Sequence, residues 1–168
     1  MPGRQRNQRP YQRDVAVFFH FSAGGKTSAL SPDGYDTMCG ILGIYAAPGV
    51  RRQTAYWLEL ITKLFRLSES RGREAAGFAL GNGEKIYIYN EPESAVKMLR
   101  KPGCARFLKR ALDSVKPEDS LTMIGHARLV TNGLQDKPAN NQPVARSGVV
   151  MVHNGIAVND KSLWEQLP

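Results

Sequence analysis

Three short stretches of this chain hold residue types that can do chemistry together. The first is Met38-Cys39-Gly40-Ile41. Methionine aminopeptidases remove an initiator methionine ahead of a small residue such as cysteine, so a start at Met38 exposes Cys39 with a free α-amine. That amine has a pKa of about 7.7–8.0, close to a thiol's value of about 8.5, so it can accept a proton at neutral pH. Nucleophile and base then belong to one residue, the cysteine counterpart of an N-terminal threonine. The competing reading is an ordinary buried strand cysteine.

The second stretch, His153-Asn154-Gly155, closes an apolar strand. The Asn154 side-chain amide and the Gly155 N–H can jointly bind an oxyanion, each donor being worth about 3 kcal/mol when preorganised. Taken alone, Asn-Gly at a strand end is a turn. The third stretch, Gly125-His126-Ala127-Arg128, leads to Thr131-Asn132-Gly133. Arg128 at a strand end suits a carboxylate, which it can grip with two parallel hydrogen bonds. Taken alone, it is a surface ion-pair residue.

The elements that must position these residues are readable from periodicity. Ile41, Leu42, Ile44 and Tyr45, bounded by Pro48-Gly49, predict a buried strand. Trp57, Leu60, Ile61, Leu64 and Leu67 recur at helical spacing, with Gly72 as a helix stop. Ala75–Leu80 and Lys85–Asn90 read as two strands joined through Gly81-Asn82-Gly83. Cys104, Phe107, Leu108, Ala111, Leu112 and Val115 form an amphipathic helix closed by Pro117, with Cys104 as a small core residue. Strands follow at Leu121–Leu129 and Val149–His153, separated by a polar loop over Asn132–Asn141; Leu163, Trp164 and Leu167 open a further helix. Strands that first pair as a hairpin make this an α+β chain with a mostly antiparallel sheet.

In order, Met-Cys-Gly-Ile-Leu-Gly-Ile from Met38, Arg71-Gly72-Arg73-Glu74-Ala75-Ala76-Gly77, His126-Ala127-Arg128-Leu129-Val130-Thr131-Asn132-Gly133 and His153-Asn154-Gly155-Ile156 resemble the class II glutamine amidotransferases. These are the N-terminal-nucleophile glutaminase domains of glucosamine-6-phosphate synthase and amidophosphoribosyltransferase. The resemblance covers Cys39–Pro168, and Asn140-Asn141-Gln142-Pro143 is similar to an element those enzymes carry before the oxyanion-hole strand. It implies a four-layer α-β-β-α sandwich, C-terminally truncated. It implies that Cys39 attacks the side-chain amide of L-glutamine with its own α-amine as base, forming a thioester and releasing ammonia. Asn154 and Gly155 become the oxyanion hole and Arg128 the clamp on the α-carboxylate. Thr131 and Gly155 hold the amino-acid end, with Arg71 and His126 supporting. No cofactor and no metal are implied. The ammonia would pass to a synthase domain beyond Pro168, through which a homo-oligomer would also form.

Two departures stand out. Leu129 occupies a position that is usually aromatic, and Arg-Glu-Ala-Ala-Gly after Arg71-Gly72 is nearer the phosphoribosyltransferase type than the Tyr-Asp-Ser of the glucosamine synthases.

Composition narrows the alternatives. The 168 residues, 42% apolar, hold one core of ordinary size. The longest apolar runs are too short for a membrane helix. Lys plus Arg exceed Asp plus Glu by 23 to 15, a net +8. That excess is interleaved with apolar residues at Lys97–Lys101 and Arg106–Arg110, as on the wet face of a helix, and RNA-binding aromatic signatures are absent, which argues against nucleic acid. The competing function is a non-catalytic basic binding module, or an inactive fragment, on the same fold. Two cysteines without disulfide or metal-ligand spacing fit a reducing, cytoplasmic setting. Residues 1–38 differ in character: Arg/Gln-rich at first, with an apolar patch at Val15–Phe21, too short and too polar for a signal peptide. Gly24-Gly25-Lys26-Thr27 matches only half of a phosphate loop, because His20 stands where the first glycine belongs. The segment reads as a flexible leader, a propeptide or translated upstream sequence, ahead of a glutaminase region over 39–168.

Overall fold

The computed structural model describes residues 15–20, 39–50, 53–129, 141–146, 149–154, 162 and 165–166. Five strands form one antiparallel sheet: β1 (Val15–His20), β2 (Gly40–Ala46), β3 (Ala75–Gly81), β4 (Ile86–Glu91) and β5 (Leu121–Arg128), in the spatial order β1-β2-β5-β3-β4. A separate ribbon pairs β6 (Val144–Arg146) with β7 (Val149–Met151). The helices given in full among the described residues are α1 (Thr54–Ser68), α2 (Ala95–Arg100) and α3 (Pro102–Asp113).

One face of the sheet carries the core, because strand side chains alternate between faces. Leu42, Ile44 and Ala46 of β2, Ala76, Phe78 and Leu80 of β3, and Leu121 and Met123 of β5 meet the apolar stripes of the helices. Those stripes are Trp57, Ile61, Leu64 and Phe65 from α1, Ala95 and Met98 from α2, and Cys104, Leu108, Ala111 and Leu112 from α3. Cys104 is the core residue its helical position predicts, fully buried. The Thr54 hydroxyl donates to Asp113 Oδ1 at 2.8 Å, tying the start of α1 to the end of α3. Between α2 and α3 the helix breaks at Lys101, whose backbone is extended, as expected of a residue before Pro102.

The hairpin read at Gly81-Asn82-Gly83 joins β3 to β4. Asn82 is buried there. Its Oδ1 accepts from the backbone N–H groups of Glu84 and Lys85, and its Nδ2 donates to Ser114 beyond α3.

Three readings change. Val15–His20, inside the segment read as a leader, is strand β1, antiparallel to β2 with Val15 opposite Ala46 and His20 opposite Ile41. Its Val-Ala-Val-Phe-Phe run is rich in β-branched and aromatic residues, which suits a strand. Helix α1 ends at Ser68, before Gly72, so the glycine is not its stop. A three-residue strand, β6, precedes the one expected near Val149. The helix expected at Leu163, Trp164 and Leu167 lies outside the described residues, as does 132–140 of the polar loop.

Candidate functional site

On the face of β5 opposite the core lie Ile124, His126 and Arg128, beside Ile41 of β2 and Ala75 and Gly77 of β3. Gly40 pairs with Ala127, so one further step brings Cys39 to the end of β5. There the Leu129 N–H donates to Cys39 Sγ at 3.3 Å, and the thiol donates to the Leu129 carbonyl at 3.6 Å. Burial pushes the half-buried thiol above its ordinary pKa, while the Leu129 N–H and then the Arg128 charge pull it back in part.

Gly72 holds this strand end in place. A Cβ at Gly72 would sit 2.3 Å from the Arg128 carbonyl carbon and 2.4 Å from Leu129 N. The glycine is needed for close backbone approach. Arg71 lies one residue before it, in the turn that leaves α1, with its N–H on the Ser68 carbonyl at 3.0 Å. On the other side of Gly72, the Glu74 N–H donates to the Arg128 carbonyl at 3.2 Å.

Arg128 is buried, and its Nη1 donates to Asn141 Oδ1 at 3.1 Å. Two residues along β5, His126 is fully buried with no hydrogen-bond partner for either ring nitrogen among the described residues. Burial, followed by the charge of Arg128, lowers its pKa to about 4, so the ring is neutral at pH 7.

From the other side comes the segment after β7. The Asn154 Nδ2 donates to the Cys39 carbonyl at 3.0 Å. The preceding residue, His153, has its N–H on Gln142 Oε1 and its carbonyl on Gln142 Nε2 at 3.0 Å. Cys39, Arg128, Asn154 and His126 are thus gathered at one end of the sheet. Thr131 and Gly155 lie outside the described residues.

Sequence reading gives no site role to two contributors, Leu129 and Gln142. Leu129 acts through its main chain, which its side-chain type does not reveal. Gln142 was visible only as part of Asn140-Asn141-Gln142-Pro143; an amide next to a proline that interrupts a ladder is the signal that points to it. Among the described residues there is no group of three or more His, Cys, Asp or Glu able to hold a metal ion, and no helix long and apolar enough to cross a membrane.

Over 77% of its length the chain is similar to enzymes named glutamine–fructose-6-phosphate aminotransferase. The one from Bradyrhizobium diazoefficiens is 35% identical over 132 residues, 77% of this chain and 18% of that protein. The one from Thermococcus kodakarensis is 33% identical over 131 residues, 77% of this chain and 19% of that protein. That of Shigella flexneri is 32% identical over 130 residues, 77% of this chain and 18% of that protein. The chain therefore spans about a fifth of the length of the curated relatives it matches. No family model and no solved structure matches it.

Proposed function

We propose that the chain is a class II glutaminase, a cysteine-nucleophile amidotransferase part that hydrolyses the side-chain amide of L-glutamine and supplies ammonia to an acceptor domain. The observation that carries this reading is the Cys39 thiol on the Leu129 N–H at 3.3 Å, with the Asn154 amide 3.0 Å from the carbonyl of the same cysteine. A nucleophile and a side-chain N–H donor meet there beside a buried arginine. The similarity to enzymes whose name includes glutamine supports it.

In this reaction the Cys39 sulfur attacks the amide carbon of the glutamine side chain and forms a C–S bond. The thiol proton passes to the Cys39 α-amine, free once the bond to Met38 is cut. The Asn154 amide and the Gly155 N–H hold the oxyanion. Collapse breaks the C–N bond, and ammonia leaves with the proton returned by the amine. Water then opens the thioester to glutamate. Arg128 grips the substrate α-carboxylate, Thr131 and Gly155 help hold the amino-acid end of the substrate, and Arg71 and His126 support the constellation. On this reading the sheet with its helices supplies two layers of an N-terminal-nucleophile sandwich, and β6 and β7 begin its second sheet.

The test joins intact-mass analysis with an assay of glutamine hydrolysis. Hydrolysis by chain that begins at Cys39, abolished in Cys39→Ala with an unchanged melting temperature, is expected. Retained hydrolysis in Cys39→Ala, or none from chain that does begin at Cys39, would overturn the reading.

A further inference from the structure

We infer that Gln142 is a positioning residue, whose carboxamide fixes the backbone of His153 and thereby sets Asn154 against Cys39. The argument starts from strand register. Val144 pairs with Met151 in the β6–β7 ribbon, so the same register continues to Pro143 opposite Val152 and Gln142 opposite His153. Pro143 has no N–H to extend the ladder. Beyond that gap the Gln142 side chain takes over: Oε1 accepts the His153 N–H, and Nε2 donates to the His153 carbonyl at 3.0 Å. One planar amide thus engages both main-chain groups of a single residue, one from each of the peptide units that flank its Cα, which restricts the backbone of His153 in rotation as well as translation.

The other end of Gln142 is anchored. Its carbonyl oxygen lies where a Cβ at Gly77 would be only 2.2 Å away, so its backbone rests directly on β3. The neighbouring Asn141 accepts from Arg128 at 3.1 Å. Two consecutive residues, Asn141 and Gln142, therefore join Arg128 on one side to His153 on the other. From His153 one peptide leads to Asn154, whose amide reaches the Cys39 carbonyl at 3.0 Å. Both Gln142–His153 bonds are exposed to solvent, so water can replace them and the fold should survive their loss. What water cannot replace is the fixed position of the next side chain.

The kinetic consequence rests on the glutaminase reading, so two readouts are needed. The chain, processed to begin at Cys39 as intact mass verifies, and its Gln142→Met and Gln142→Glu variants are treated with a diazoketone analogue of glutamine, and the rate constant and affinity of Cys39 alkylation are separated. Gln142→Met should lower the maximal rate by about tenfold or more, since displacing a reacting group's partner by about 1 Å can cost about a hundredfold. Its affinity should stay within about twofold of the unmodified chain, because Arg128 keeps Asn141. Gln142→Glu presents two acceptors and repels the His153 carbonyl at pH 8. Its rate relative to the unmodified chain should recover toward about pH 4, where the carboxyl is protonated and donates again.

Independently, amide hydrogen exchange at His153 should quicken about tenfold or more in Gln142→Met while the β5 amides keep their protection. Unmodified chain that begins at Cys39 and resists the diazoketone would count against the glutaminase reading, and the His153 exchange would then decide the positioning alone. Unchanged His153 exchange in Gln142→Met overturns the proposal, as does a labelled chain whose Gln142→Met variant keeps the full rate or loses affinity instead.

Discussion

Leu129 turns both of its main-chain groups toward Cys39: its N–H stands 3.3 Å from the sulfur, and its carbonyl takes the thiol hydrogen at 3.6 Å. The first contact favours thiolate and the second favours thiol, so the same residue can hold the sulfur in either state. Which state prevails at a given pH is decided by what surrounds it. Burial dominates and raises the thiol pKa, with the Leu129 N–H and Arg128 opposing it.

Removing the Arg128 charge should therefore raise the Cys39 pKa further. In Arg128→Gln the pH profile of Cys39 alkylation by iodoacetamide, followed by mass spectrometry with Cys104 as an internal comparison, should shift to higher pH than in the unmodified chain. The rate at pH 7 should fall accordingly. A profile that stays in place, or moves to lower pH, would show that Arg128 does not act on the sulfur.

Gly72→Ala should injure stability and site together. The added methyl would lie 2.3 Å from the Arg128 carbonyl carbon and 2.4 Å from Leu129 N, and neither atom can move without shifting the groups that touch Cys39. Overpacking of this kind costs about 1–3 kcal/mol. For a chain of this size that is a fall of roughly 2–12 °C in melting temperature, since each kcal/mol is worth about 2–4 °C. Thermal unfolding by circular dichroism measures it, and a melting point within about 1 °C of the unmodified chain would refute the packing argument.

His126 makes stability depend on pH in a window that can be stated. Its folded pKa lies at about 4 against an ordinary value of 6.5. Between those values the unfolded chain binds the proton and the folded chain does not, so acid favours unfolding. The contribution is fully present above about pH 6.5, declines as the pH falls, and is lost by about pH 4, a change of roughly 3 kcal/mol. Urea unfolding at several pH values should show a shallower acid decline in His126→Gln than in the unmodified chain. Parallel declines would mean that other groups carry the acid sensitivity.

Several elements are legible in the sequence itself. The five apolar residues from Trp57 to Leu67 predicted α1 because their spacing matches one face of a helix; Trp57, Ile61 and Leu64 are buried, while Leu67 at the end of the stripe stays 57% exposed. The hairpin at Asn82 was legible because turn chemistry is local. Gly72 was misread for a related reason: a glycine after a helical stripe looks like a stop, yet the strand that passes against it is more than fifty residues further along the chain. The short β6 carries a weak local signal, since it depends on the partner strand that completes its hydrogen bonds. Strand β1 has the composition of a strand but sits in a segment whose Arg/Gln-rich start reads as a leader.

Residue type and spacing alone determined which chemistry was available: a thiol with an adjacent nitrogen, an amide followed by glycine, and an arginine at a strand end. Those properties belong to single residues and their neighbours, so they are written in the chain. That Cys39, Arg128 and Asn154 meet was decided only by tertiary structure, because antiparallel register sets Gly40 opposite Ala127 and carries Cys39 to Leu129. The same is true of Leu129 and Gln142. They contribute a main-chain N–H and a bridging amide, groups whose use depends on what the fold brings within hydrogen-bonding distance.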